Sequence, residues 1–180
     1  MVIFLNGSFG IGKTTTARAL QQALPDAMLF DPERIGWVLQ RLPRWIPLAG
    51  RGTNDFQNMP IWRSLTIRGI RLARRRRSTV IVPMAFSNLE YLNEIREGIR
   101  AFEPDVRHLC LVAPLEIVKE RLAGRGFGPG GPAWAHRRAT ECCEAHARPE
   151  FGEPVPTVGR GVGEVVEDVL GRIGSAGRGQ

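Results

Sequence analysis

The chain has 180 residues, 43% hydrophobic and 24% charged, the size and balance of one soluble α/β domain with a full core. No apolar run approaches the ~20 residues that cross a bilayer, and the opening run is too short for a signal peptide, so the cytoplasm is the expected location. The net charge of +7, from 25 Lys and Arg against 18 Asp and Glu, favours anionic partners without choosing among nucleotides, polynucleotides and an acidic membrane face.

Val2-Ile3-Phe4-Leu5 is an apolar run long enough for one buried strand. It leads into Gly7-Ser8-Phe9-Gly10-Ile11-Gly12-Lys13-Thr14, and Thr15 to Leu24 follows as a helix. Strand, glycine loop and helix are the context of a phosphate-binding P-loop. The glycines let successive N–H groups face one point, and the helix N-terminus adds unpaired N–H groups and a positive dipole end. Residues Gly7 through Thr15 are therefore expected to hold the phosphates of a nucleoside triphosphate. Lys13 reaches the β- and γ-phosphates and the Thr14 hydroxyl binds Mg²⁺. A chance glycine turn before a helix is the alternative, and the full eight-residue pattern weighs against it.

Ala27-Met28-Leu29-Phe30 predicts a second strand, ending at Asp31, and Glu33 to Leu42 predicts a helix stopped by Pro43. A carboxylate at the carboxyl end of a strand in such a fold faces the ligand crevice. Asp31 is thus a candidate to orient or deprotonate an acceptor hydroxyl; placed before Pro32, it is equally a helix N-cap. Residues 43 to 60 look irregular. Trp45 and its neighbours either wall an apolar ligand or pack beneath a loop, while Asp55 and Gln57 offer acceptor and donor groups to a polar substrate. Ile61 to Arg77 is a helix candidate ending in Arg74-Arg75-Arg76-Arg77, which suits the helix dipole as a solvated face better than it suits a nucleic-acid or lipid patch.

Ser78 to Pro83 is the clearest interior strand. It ends without the carboxylate that many P-loop proteins place there, which leaves the metal to Asp31, or to Thr14 with phosphates and water. Asn88 caps a helix over 89–102. Val106 to Val112 is the next strand, with His108 a strand-face residue rather than a base. Cys110, Cys142 and Cys143 supply neither a disulfide framework nor zinc spacing and are expected in or beside the core. Pro114 opens a helix carrying Arg121 and Arg125. A glycine-proline hinge spans Gly126 to Pro132, and a helix with His136, Arg137 and Arg138 covers 134–147.

This arginine-bearing stretch, 121–147, predicts a lid whose Arg121 and Arg125 neutralise charge on a transferred phosphoryl group; a surface linker is the alternative. Val155 to Val158 is the last strand. The helix over 162–173 has an acidic counterface (Glu164, Glu167, Asp168) and is expected to dock on the sheet rather than on an anionic bilayer. The whole predicts one α/β domain over 1–174 with a five-stranded, mostly parallel sheet between two helical layers, and a flexible tail over 175–180.

Gly7 to Thr14, Phe30 with Asp31-Pro32-Glu33, Asp55-Phe56-Gln57, Pro60, Trp62-Arg63 and Ile81-Val82-Pro83-Met84 together resemble the bacterial tunicamycin resistance protein family (TmrB-like). The likeness runs from Val2 to Arg125, and Trp134-Ala135 and Cys142 continue it. The resemblance implies a P-loop NTPase sandwich, nucleotide-kinase-like, with a helical lid. It implies ATP and Mg²⁺ as cofactors and tolerance to tunicamycin, a nucleoside antibiotic. It implies similarity to small-molecule kinases in which an aspartate after the second strand is the base, matching Asp31 here. The substrate segment becomes 32–63, with Asp31, Asp55, Gln57 and Arg63 as contacts. No nucleic acid is expected. A peripheral membrane contact through the C-terminal region is also implied, against the acidic face of the last helix. Phosphorylation of the antibiotic, sequestration without chemistry, and a nucleotide or metabolite kinase all stay open.

Overall fold

The alternation of apolar runs and amphipathic segments resolves into one sheet of five strands. They are β1 (Val2–Gly7), β2 (Ala27–Leu29), β3 (Thr79–Met84), β4 (Val106–Val112) and β5 (Glu153–Pro156), in the order β2-β3-β1-β4-β5 with every pairing parallel. The computed structural model describes residues 1–43, 45–48, 55–125 and 131–175. Helices α1 (Lys13–Ala23), α2 (Glu33–Arg41), α3 (Pro60–Arg74), α4 (Leu89–Arg100), α5 (Leu115–Arg125), α6 (Gly131–His146) and α7 (Val162–Ser175) cover the sheet.

Strand alternation divides the core in two. From β1, Val2 and Phe4 point into one layer with Trp62, Ile70, Leu92 and Ile95 of α3 and α4. Ile3 and Leu5 point the other way, to Leu20, Val118, Leu122 and Val169 of α1, α5 and α7. All six residues of β1 and of β3 are buried, as a doubly covered parallel sheet requires. α7 docks on the sheet through Val165, Val166 and Val169, as its apolar side predicts.

Boundaries shift for local reasons. α3 starts at Pro60, where a missing N–H costs nothing, and stops at Arg74. Arg74 then bonds Glu103 at 2.6 Å and Arg77 lies 3.4 Å from Asp26, so half of the arginine run pairs with local carboxylates. β5 sits two residues earlier than expected, and Thr157 still donates its N–H to Val112 at 3.0 Å. α6 starts three residues early, at Gly131, with Pro132 in its first turn. α7 runs to Ser175, past the expected start of the tail. The rest of that tail, 176–180, most of the expected hinge, 126–130, and residues 44 and 49–54 of the substrate segment lie outside the described residues. The cysteines are free: Cys110 and Cys142 are buried and Cys143 is half-buried. Burial pushes the Cys110 thiol up to about 12 and that of Cys142 up to about 11.

Candidate active site

The phosphate loop leaves β1 at the centre of the sheet and enters α1. Two glycines make its shape. Gly7 has φ +154°, and a Cβ there would lie 2.9 Å from Ile11 Cγ2 and 3.1 Å from the Leu111 carbonyl; Gly12 has φ +104° and closes the turn before the helix. No side chain caps α1 and its first turn holds no carboxylate, so its leading N–H groups and dipole are left for an anion. Thr14 and Thr15 are exposed there. Lys13 Nζ donates to the Ser8 carbonyl at 2.8 Å and stands 5.3 Å from the Phe9 ring. Uncapped amides, an ammonium and exposed hydroxyls are groups that can engage the phosphates of a triphosphate.

Beside the loop, the exit of β3 is held without a carboxylate. Asn6 Oδ1 accepts the Phe86 N–H at 3.0 Å, and its Nδ2 donates to the Phe151 carbonyl at 3.2 Å. Gln57 Nε2 donates to Ala85 O at 3.1 Å. His146 Nε2 lies 2.7 Å from Phe86 O; with a carbonyl as partner, that nitrogen carries the proton. Burial lowers the His146 pKa to about 4, so the ring is neutral. Among the described residues no group of three His, Cys, Asp or Glu could hold a metal ion.

Asp31 follows β2, and its Oδ1 accepts the Glu33 N–H at 3.0 Å, the capping geometry. Arg121 donates to Thr157 Oγ1 at 3.0 Å, to Thr157 O at 3.1 Å and to Ile11 O at 3.5 Å. It thus ties α5 to the phosphate loop and to the residue after β5. Arg125 closes α5, and its side chain lies outside the described part.

Next to these elements opens a polar cleft of about 700 Å³ whose lining includes Asp55, Gln57, Tyr91, Trp134, Arg138 and Glu141. Asp55 and Gln57 are therefore together in one wall, while Asp31 is not among its lining. Arg63 lies beneath: it donates to Gln57 O at 2.7 Å and to Glu94, and its guanidinium sits 4.2 Å from the Tyr91 ring. Trp134 joins cleft and phosphate loop, edge-on to Phe9 at 5.2 Å. α5 and α6 make the helical lid over this end of the sheet.

A family model described as AAA domain matches residues 2–149. The chain belongs to the AAA domain family. The tunicamycin resistance protein of Deinococcus radiodurans has a similar structure, at a TM-score of 0.76 and 26% identity over 96% of this chain and 95% of that one. A gluconokinase from Sinorhizobium meliloti shares the fold at 0.66 and 20% identity, over 97% and 92%. A shikimate kinase from Acinetobacter baumannii shares it at 0.62 and 16%, over 97% and 93%. No curated protein matches the chain. The AAA domain and its kinase-like fold carry ATP-binding capability in general.

Sequence reasoning passed over three groups of this AAA domain. Asn6 is the polar end of an apolar strand, a pattern that signals a buried hydrogen-bonding role. His146 stands on the inner side of α6, whose faces the glycine-rich approach obscured; Arg138, readable as a cation of that helix, lies against Asp55 and Glu141. The Phe9–Trp134 contact joins residues too far apart in sequence for any local pattern to pair.

Proposed function

We propose that this chain is an ATP- and Mg²⁺-dependent phosphotransferase that acts on a hydroxyl of a nucleoside-like small molecule of the tunicamycin type. The observation that carries the reading is the junction at Phe9 and Trp134: a phosphate loop abuts the wall of a polar cleft large enough for a small-molecule acceptor. Resemblance to the Deinococcus radiodurans tunicamycin resistance protein supports the acceptor class.

Gly7 to Thr15 cradle the donor phosphates. Lys13 leaves the Ser8 carbonyl to meet the β- and γ-oxygens, and Arg121, released from Thr157 and Ile11, and Arg125 neutralise transferred charge. Mg²⁺, held by Thr14 and phosphate oxygens, would supply charge neutralisation on the leaving group. Asp31 accepts a hydrogen bond from the acceptor hydroxyl and aligns it; proton removal is late in a loose transfer, so no raised pKa is required. Asp55 and Gln57 contact the acceptor, with Arg63 fixing Gln57 and Tyr91 from below.

A second reading, sequestration of the antibiotic with nucleotide as a structural ligand, is favoured by one observation. The Asp31 carboxylate is engaged in capping the Glu33 amide. Incubation of purified protein with γ-labelled ATP, Mg²⁺ and tunicamycin separates the two. Label on the antibiotic supports transfer; tight binding with no label supports sequestration.

A further inference from the structure

Arg138 is the deepest cation of the cleft and its charge is already answered. Its side chain is 10% exposed. Nη1 donates to Glu141 Oε2 at 2.7 Å and to Ser87 Oγ at 2.9 Å, and Nη2 lies 3.2 Å from Asp55 Oδ2 and 3.5 Å from Ala85 O. Nε is buried with no hydrogen-bond partner. Asp55 is fixed from its other oxygen, which accepts the Gln57 N–H at 2.9 Å. Glu141 also meets Arg137, at 3.8 Å. Among the described residues, three arginines (137, 138 and 148) and three carboxylates (Asp55, Glu141 and Glu144) line the cleft, so their charges balance.

An acceptor that bears a phosphate or carboxylate needs a cation not already paired. Beside Asp55 and Glu141 it would meet Arg138 behind two carboxylates and be repelled by both; Arg148, exposed and stacked on the Phe151 ring at 4.9 Å, is the lining cation left outside that cluster. A neutral molecule rich in hydroxyl or amide groups meets donors and acceptors side by side, flanked by the Tyr91 and Trp134 rings.

We propose that Asp55 and Glu141 are specificity-determining residues: by neutralising Arg138 they restrict the cleft to uncharged acceptors and exclude anionic ones such as nucleoside monophosphates. The inference rests on the cleft being the acceptor site. It predicts that removing a carboxylate turns Arg138 into an anion-binding group. Glu141 is the more exposed of the two, at 43% of its side chain against 22% for Asp55, and is the first to replace.

The test compares uridine with its 5′-carboxylate analogue, a pair that differs in charge and lacks a phosphate for the loop. Binding to the full-length chain is measured by ligand-observed NMR without nucleotide. Glu141→Gln should raise the ratio of carboxylate affinity to uridine affinity about tenfold or more over the parent, the scale of one charge-assisted hydrogen bond. Asp55→Asn with Glu141→Gln should gain more. Adding Arg138→Gln to Glu141→Gln should abolish the gain. No gain in either carboxylate variant, a gain that survives Arg138→Gln, or a parent that prefers the carboxylate analogue overturns the proposal. Because the readout contains no ATP, absence of phosphoryl transfer would sink the phosphotransferase reading alone and leave these affinities to be judged separately.

Discussion

Trp134 of α6 stands edge-on to Phe9 of the phosphate loop, with ring centroids 5.2 Å apart and planes at 70°. Ser8 Oγ lies 3.4 Å from the Ala139 carbonyl one turn further along the same helix. α6 therefore touches the phosphate loop at two points and lines the polar cleft with Arg138 and Glu141. A double-mutant cycle of Phe9→Ala and Trp134→Ala, read by denaturant unfolding, should return a coupling of about 0.5–1.5 kcal/mol, the usual worth of an aromatic pair. Strict additivity would mean that the contact does not hold in solution.

Lys13→Ala should weaken Mg²⁺–ATP binding while leaving the fold intact, since the loop amides remain and only the mobile charge is lost. Isothermal titration against parent and variant measures it. Equal affinities would mean that the loop does not engage phosphates.

Asn6 holds the exits of two other segments from the end of β1. Asn6→Ala strands a buried N–H of Phe86 and a buried carbonyl of Phe151, each worth about 1–3 kcal/mol when left unpaired. We expect a loss of about 2 kcal/mol or more in unfolding free energy from urea melts. A loss below half of that would place water, not protein, behind these contacts.

Two imidazoles should make the fold acid-sensitive. Burial, with Arg96 and His146 nearby, lowers the His108 pKa from 6.5 to about 3, and burial lowers that of His146 to about 4. The unfolded chain takes up these protons near pH 6.5 and the folded one does not. The stability they support is complete above pH 6.5 and is lost as pH falls toward 4, at up to about 1.4 kcal/mol per pH unit for each group. His108 Nε2 has no hydrogen-bond partner and its ring meets Phe4 edge-on at 5.7 Å, so His108→Leu keeps apolar packing there and should reduce the slope between pH 6.5 and 4 by roughly half, leaving the share of His146. An unchanged slope in urea melts across that range would contradict the assignment.

Much of this fold was legible because its signals are local. Val2 to Leu5 and Val80 to Val82 are uninterrupted apolar runs, and only a doubly covered strand uses such runs. The phosphate loop is equally local, since Gly7 and Gly12 sit where positive φ is needed. Asp55 and Gln57 were readable as polar groups in an irregular segment, though not that both would reach one wall with Arg138. That pairing spans 83 positions of sequence and depends on how α6 crosses the end of the sheet. The start of α6 at Gly131 was missed for a similar reason, because glycine and proline signal a break unless tertiary packing makes them a first turn.

In the proposed reaction Asp31 aligns the acceptor hydroxyl for phosphoryl transfer. The most direct measurement is single-turnover transfer from γ-labelled ATP to tunicamycin, with parent and Asp31→Asn compared beside ATP binding on the same preparations. The account predicts label on the antibiotic with the parent. It predicts a roughly 10²-fold or greater slowing in Asp31→Asn, the scale of a lost acid–base group, with ATP affinity kept within a few-fold. Label that appears only as inorganic phosphate, or full-speed transfer by Asp31→Asn, would contradict it.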